Sequence, residues 1–233
     1  MYGELSRYPL TTVSAINCIR YWLKLTRMND NRIPKKAYLM LHELDRKGKH
    51  TWVSNIRLFL FKHGFGYVWM NQGVEGMSLF LRVLKSRLID CSWQRWQEHV
   101  ENSERFSMYR SFGLSHNMHQ YIRQDMDRHL KCVMTKFRFG ISNLTVHFYR
   151  YRSHTVRDLI CPMCKESIEN EVHFVLCCPF LLELRRKLIP PKFFSNPSAF
   201  RFTLLMSRKN DNIIKNLSIY LYNAFKIREI AIS

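Results

Sequence analysis

Three cysteines and one histidine between positions 161 and 178 constrain this chain more than any other feature. Cys161 and Cys164 are separated by two residues. His173 follows after eight intervening residues and Cys178 after a further four, which gives the spacing C-x2-C-x8-H-x4-C. Three thiolates and one imidazole form the closed tetrahedral ligand set that holds structural zinc. Because a closed set leaves no position for a reacting water, the pattern predicts a recognition module with one structural zinc ion rather than a metalloenzyme.

Cys177 competes with Cys178 for the fourth ligand position. Cys178 is preferred because Pro179 follows it and because its separation from His173 fits about one helical turn. The opposing interpretation, in which the first two cysteines are incidental, is weakened by the histidine and the third cysteine that follow them so closely. Soft thiolate ligands exclude calcium and magnesium.

The charge of the chain predicts a polyanionic partner. It has 37 lysines and arginines against 18 aspartates and glutamates, a formal net charge of +19, and nucleic acid, RNA or DNA, is the usual partner of such a surface. A membrane surface is disfavoured because the basic residues are dispersed rather than set on one amphipathic helix. The longest apolar run, 174–182, is far shorter than the roughly 20 residues that a bilayer span needs. Without a signal-peptide pattern, the chain is predicted to be intracellular, nuclear or cytoplasmic, and not secreted.

A stretch without acidic residues between Asp127 and Asp158 is the candidate nucleic-acid surface. Its basic residues are Arg128, Lys131, Lys136, Arg138, Arg150, Arg152 and Arg157. Rings at Phe137, Phe139, Phe148, Tyr149 and Tyr151 lie between them and offer faces for unpaired bases. The alternative is a solvated helix face followed by a core strand that buries the rings. Basic residues further along could enlarge the surface: Arg185, Arg186, Lys187, Lys192, Arg201, Arg208 and Lys209.

Apolar periodicity predicts a mainly α fold, a helical bundle-like domain with a small CCHC zinc knuckle inserted before the C-terminal helices. Pro34 begins one predicted helix and Gly48 ends it. Leu144, Val146 and Phe148 alternate and predict a short strand or extended link. The predicted segments are a helical region over 1–126, a basic helix and link over 127–157, the knuckle with its following helix over 158–189, and C-terminal helices over 190–233.

The motifs of catalysis are missing from this sequence. It contains no phosphate-binding glycine loop, no nucleophile elbow and no pair of aspartates suited to two-metal phosphoryl transfer. The sequence therefore predicts that the chain is not an enzyme.

Several segments together resemble the tail of LINE-type non-LTR retrotransposon reverse transcriptases, where a zinc-binding C-P-x-C…E-x-E-x-H-F-x-L-x-C-P knuckle follows the polymerase. The resemblance is specific at 157–164 and 169–179. It is softer at 2–10, 21–25, 135–142 and 184–186, yet it extends over essentially the whole chain. It implies that Cys161, Cys164, His173 and Cys178 are the zinc ligands, and that the region grips template RNA or target DNA.

The resemblance also implies an upstream polymerase domain in a full-length element, so this chain would be a carboxy-terminal fragment. Trp22, Trp52 and Trp69 are candidates for packing against that domain. Three interpretations stay open: a non-catalytic zinc-containing nucleic-acid-binding region, a zinc-stabilised helical protein-interaction scaffold, and an element relic with no selected function.

Overall fold

The computed structural model describes residues 2–113 and 117–232, and α-helices dominate these ranges, as the sequence predicts. Within them, no helix combines the length and the apolar character needed to cross a membrane. The helices are α1 (Tyr2–Leu5), α2 (Leu10–Thr26), α3 (Ile33–Arg46), α4 (Trp52–Lys62), α5 (Gly66–Met70), α6 (Met77–Glu101), α7 (Ser107–Ser111), α8 (Gln120–Arg123), α9 (Arg128–Arg138), α10 (Thr145–Phe148), α11 (Leu182–Leu188), α12 (Pro191–Phe194), α13 (Ala199–Met206) and α14 (Asp211–Ile232).

The chain divides into two compact units, residues 7–96 and residues 3–6 together with those from Gln97 onward. The metal-ligand candidates lie in the second of these, which is called the knuckle unit below. The unit of residues 7–96 contains α2 to α5 and most of α6.

Local signals set the helix ends in the unit of residues 7–96. Pro34 is the second residue of α3, where its missing N–H costs nothing. Gly48 follows α3 with a left-handed φ of 77°, a conformation that glycine adopts without strain. The predicted start and end of this helix are therefore confirmed. Thr51 precedes α4 and its amide donates to Ser54 Oγ at 2.8 Å, half of a capping box.

The core of this unit is built around two tryptophans. Trp22 is fully buried and stacks on Trp69 with 5.7 Å between ring centroids. The Trp22 indole N–H donates to the Tyr38 hydroxyl at 3.2 Å, which satisfies its polar atom in the interior. Trp22 and Trp69 are thus core residues, and the prediction that they pack against another domain is wrong.

The knuckle unit is organised by α14, which packs against α9 and α11. Phe174 and Phe225 are in contact at the centre of this packing, with 4.7 Å between their ring centroids. A buried ion pair joins α1 to α9, since Arg138 Nε donates to the Glu4 carboxylate at 2.8 Å. The Tyr121 hydroxyl donates to the same carboxylate. Burying a charge is unfavourable unless it is paired in this way.

The alternation at 144–148 does not produce the predicted strand. The segment Thr145–Phe148 is the short helix α10, and the Phe148 amide donates to the Leu144 carbonyl at 2.9 Å. Leu144 is fully buried whereas Phe148 is 52% exposed, so the alternating residues do not share one buried face. An extended segment without a neighbouring strand leaves its backbone groups unpaired, and a helical turn satisfies them locally.

Two leucines of α4 provide a matched test of the core. Leu60 is fully buried and Leu58 is 52% exposed. We expect Leu60→Ala to lower the free energy of unfolding by about 2–5 kcal/mol, because it removes buried methylenes and leaves a cavity. Leu58→Ala should change it by less than about 0.5 kcal/mol. Urea unfolding followed by tryptophan fluorescence measures both, and equal losses would contradict this description of α4.

Candidate metal centre

Cys161 and Cys164 lie in a tight chain reversal. An antiparallel bridge joins Ile160 to Ile168, and the Cys161 amide donates to the Ser167 carbonyl at 2.8 Å. The bridge brings the two ends of the reversal side by side and holds the Cys-x2-Cys segment between them. Both sulfurs consequently lie close to the ligand atoms of His173 and Cys178, which come later in the chain.

His173 and Cys178 come from one wide helical turn, a π-helix over His173–Cys177. In an α-helix, a step of five residues places side chains about 140° apart. Here the Cys178 amide donates to the His173 carbonyl at 2.8 Å, five residues back, so the wider turn returns Cys178 to the side of His173. Asn170 fixes the start of the turn, because its side-chain oxygen accepts the His173 amide at 2.8 Å.

The four predicted ligands converge. Their ligand atoms all lie within 4.8 Å of one another, an arrangement that could hold a metal ion. Cys161 Sγ is 4.0 Å from Cys178 Sγ, and Cys164 Sγ is 3.4 Å from His173 Nε2. A disulfide between Cys161 and Cys178 would need about 2.05 Å between the sulfurs. The sulfurs are therefore spaced as ligands rather than as a covalent pair.

Burial distinguishes Cys177 from Cys178, the two candidates for the fourth ligand position. Cys178 is buried within the cluster, whereas Cys177 is exposed and lies outside it. The prediction of Cys178 as the fourth member is confirmed.

Arg185 and Tyr220 satisfy the carbonyls that the wide turn leaves without a partner in the helix. Arg185 donates from Nε to the Val175 carbonyl and from a terminal nitrogen to the Cys178 carbonyl, both at 2.8 Å. The Tyr220 hydroxyl donates to the Phe174 carbonyl, also at 2.8 Å. Burial raises the pKa of Tyr220, which keeps this hydroxyl a donor. These bonds hold the turn in the shape that aligns its two ligands.

The charge of Arg185 fits a metal-loaded cluster. Its side chain is 2% exposed, and in the described ranges no carboxylate forms an ion pair with it. Three thiolates and a divalent ion carry a net charge of −1, and a buried cation next to them offsets that charge. The sequence predicts Arg185 as part of a basic surface, and this prediction is wrong.

Cys161 and Cys178 are close enough for their thiols to interact, with 4.0 Å between the two sulfurs. The hydrogen bond from Cys178 lowers the pKa of the Cys161 thiol. The same hydrogen bond, together with burial, raises the pKa of Cys178. The lowered pKa favours the thiolate form of Cys161, and thiolate is the form of cysteine that binds metals.

A buried ion pair anchors the knuckle to α14. Glu169 is fully buried and accepts two hydrogen bonds from Arg228, at 2.6 and 2.8 Å. The same carboxylate accepts the Thr145 amide at 2.8 Å, which caps the start of α10. Glu169 therefore ties together the knuckle, α10 and α14. Glu169 lies between Cys164 and His173 in the sequence, within the predicted ligand motif. Because a glutamate is rarely buried without a partner, its burial there requires a cation such as Arg228.

A second polar chain links α10 to the knuckle. His147 Nε2 lies 2.9 Å from a Glu171 oxygen, and its Nδ1 lies 2.7 Å from Ser142 Oγ. Burial is the largest single influence on the pKa of Glu171 and raises it, but the hydrogen bond and charge interaction with His147, together with a backbone hydrogen bond and the charge of Arg150, lower the pKa below its usual value. The contact orients Glu171 two residues before the ligand His173.

Most of the predicted phosphate-binding side chains are accessible. Arg128 and Lys136 are exposed on α9, and Arg152 and Arg157 are exposed between α10 and the knuckle. Lys131 is partly buried because its ammonium donates to the Ile122 carbonyl at 3.0 Å.

Two of the predicted cations have structural partners instead. Arg138 is 3% exposed in its ion pair with Glu4, so it cannot reach a phosphate, and its assignment to the surface is wrong. Arg150 is partly buried and donates to the carbonyl of Gly140 at 3.1 Å. Gly140 has a left-handed φ of 61°, and a Cβ there would lie 2.9 Å from the Arg150 guanidinium. Arg150 thus braces the end of α9.

The aromatic residues of the basic stretch divide into two groups. Phe137 and Phe139 are buried in the core of the knuckle unit. Phe148 and Tyr151 are 52% and 71% exposed, and the Arg152 guanidinium lies 4.0 Å above the Phe148 ring. Stacking on bases is therefore open to Phe148 and Tyr151, not to the two buried rings.

Comparison with protein-family models, with curated proteins and with solved structures gave no match. The resemblance to retrotransposon reverse transcriptases stays a prediction that depends on the residues of this chain alone.

The adjacent cysteines give a direct test of the ligand set. We expect Cys178→Ser to lose the bound metal, because it removes a buried member of the cluster. Cys177→Ser, which changes the same atom at an exposed position, should keep about one metal ion per chain. Elemental analysis of both purified variants measures this. Metal retained by Cys178→Ser and lost by Cys177→Ser would reverse the assignment.

Variants of the adjacent residues Arg185 and Arg186 test whether Arg185 stabilises the wide turn. Arg185→Gln should weaken metal affinity by about 10–100-fold, the usual effect of removing a group that orients ligands. Arg186→Gln is the control, because Arg186 is exposed and pairs with Glu183 at the surface, where an ion pair contributes little. Competition with a chromogenic chelator gives both affinities. Equal affinities would show that Arg185 does not support the site.

Proposed function

We propose that this chain is a non-catalytic, zinc-containing nucleic-acid-binding region like the one that follows the polymerase in LINE-type reverse transcriptases. The observation that carries the proposal is the convergence of three cysteines and one histidine within 4.8 Å, directly after a segment of exposed arginines and rings. In a full-length element such a region would help an upstream polymerase to hold template RNA or target DNA.

Zinc is the metal that best fits the cluster. With Zn–S of about 2.3 Å and Zn–N of about 2.0 Å, a regular tetrahedron has edges of about 3.8 Å between sulfurs and about 3.5 Å between sulfur and nitrogen. The corresponding distances in the chain are 4.0 Å and 3.4 Å. Zinc held in this way is structural, and it fixes the chain reversal to the wide turn.

The exposed groups next to the knuckle suit a single strand. Arg157 lies four residues before Cys161, in a short 3-10 turn over Val156–Leu159 that leads into the ligand loop. Arg152 and the Phe148 ring form a cation–π pair 4.0 Å apart. A guanidinium binds phosphate and an exposed ring stacks on a base, the combination used by proteins that bind unpaired strands. Zinc would hold Arg157 in place by fixing the loop that it enters.

Salt dependence tests the proposal. If Arg128, Lys131, Lys136, Arg152 and Arg157 each neutralise one phosphate, the affinity of the zinc-loaded chain for single-stranded RNA should fall about 100-fold between about 50 and 200 mM salt. Replacing Arg152 and Arg157 by Gln should lower the slope by about 0.7 per residue removed, the value for a single strand. Arg46→Gln in α3, which changes an exposed arginine paired with Glu43, is the control.

Fluorescence anisotropy over a salt series measures these affinities. Binding that is absent, or unchanged over this range, would reject a nucleic-acid function. The protein-interaction scaffold would then be the better interpretation, and apolar residues exposed on the unit of residues 7–96 favour it: Ile33, Met40, Leu58, Phe61, Tyr67, Met70 and Leu79.

A further inference from the structure

A groove runs along one face of α9 in the knuckle unit. It has a volume of about 390 Å³, and α9 contributes residues at a helical spacing of three and four: Arg128, Lys131, Cys132, Thr135 and Lys136. The groove is also lined by Leu5, Tyr121, Ile122, Phe139 and Ile141. The volume lies in the lower part of the range of small-ligand sites.

The groove has an electropositive edge. Of the described residues that line it, Glu4 is the one acid, and its carboxylate is 2% exposed and paired with Arg138 at 2.8 Å. The charges left at the groove are those of Arg128, Lys131 and Lys136. Lys131 donates one hydrogen bond to the Ile122 carbonyl, and an ammonium has three donors, so two stay available for a phosphate.

The spacing of the three cations matches a nucleic-acid strand. Arg128 and Lys136 are eight positions apart, or about 12 Å along the helix axis at 1.5 Å per residue. One strand of a duplex carries a phosphate about every 3.4 Å along the helix axis, and the phosphates themselves lie farther apart because the strand winds around that axis. Three cations spread over about 12 Å can therefore contact neighbouring phosphates. The apolar walls between them suit the flat faces of a base.

We propose that the groove along α9 receives one unpaired base of a single-stranded nucleic acid, with the flanking phosphates on Arg128, Lys131 and Lys136. This proposal rests on the proposed nucleic-acid-binding function and specifies the form of strand that it takes. A base paired inside a duplex cannot enter the groove, whereas an unpaired base can turn out of the strand and leave its polar edge toward solvent. The exposed lining of the groove is almost entirely apolar, so we expect it to select a single strand without selecting its sequence.

Two exposed cysteines provide a matched pair of variants. Cys132 lines the groove and is exposed, and Cys18 is exposed on α2 in the unit of residues 7–96. Cys132→Phe should fill the groove without removing a cation, and weaken binding of single-stranded RNA roughly tenfold at an unchanged salt slope. Cys18→Phe should leave the affinity unchanged, and far-ultraviolet circular dichroism confirms that both variants keep their helices.

Disulfide cross-linking to Cys132 tests directly whether the base lies in the groove. A single-stranded oligonucleotide that carries one base tethered through an activated disulfide should form a mixed disulfide with Cys132 and not with Cys18. The same tethered base placed within a duplex should react slowly with Cys132. Peptide mapping after digestion identifies the cysteine that has reacted.

These experiments distinguish failure of the proposed function from failure of the groove assignment. If the zinc-loaded chain binds no nucleic acid at any salt concentration, both the proposed function and the groove assignment fail. If it binds with the expected salt slope, but Cys132→Phe binds equally well and the tethered base reacts no faster with Cys132 than with Cys18, the groove assignment alone is overturned. Binding of anionic phospholipid vesicles that is lost in Cys132→Phe, with oligonucleotide binding unaffected, would assign the groove to a lipid and overturn it too.

Discussion

The knuckle depends on keeping two short pieces of chain at ligand distance. The reversal that carries Cys161 and Cys164, and the single turn that carries His173 and Cys178, are each too short to fold independently. The four side chains that converge between them could hold a metal ion, and a shared ion would fix the mutual position of the two pieces. Structural zinc supplies on the order of 10 kcal/mol to small modules of this kind, which is enough to hold both pieces in one geometry.

Buried charge joins this centre to the helices around it. Glu169 is paired with Arg228 of α14, and Arg185 of α11 donates to the wide turn that ends at Cys178. Removing one partner of such a pair leaves an uncompensated charge in the interior, which costs about 3–5 kcal/mol. These buried contacts and the helical packing of this unit therefore hold the Cys/His cluster in place, together with the residues that lead into its loop.

The sequence predicts the features that local chemistry determines. The Cys/His spacing identifies the cluster, and Pro34 and Gly48 mark the limits of α3 because the backbone geometry of those residues leaves few alternatives. The features it fails to predict depend on distant partners. Arg138 has the sequence pattern of a surface cation, because its partner Glu4 lies 134 positions away in the chain. The alternating segment at 144–148 becomes helical partly because Glu169 caps its first amide, a contact that no local pattern contains.

The most direct measurement of the central claim is X-ray absorption spectroscopy of the purified chain at the zinc edge. Coordination by Cys161, Cys164, His173 and Cys178 predicts a first shell of three sulfurs at about 2.3 Å and one nitrogen at about 2.0 Å. A first shell of oxygen alone, or of four sulfurs without nitrogen, would contradict the assignment of these four side chains.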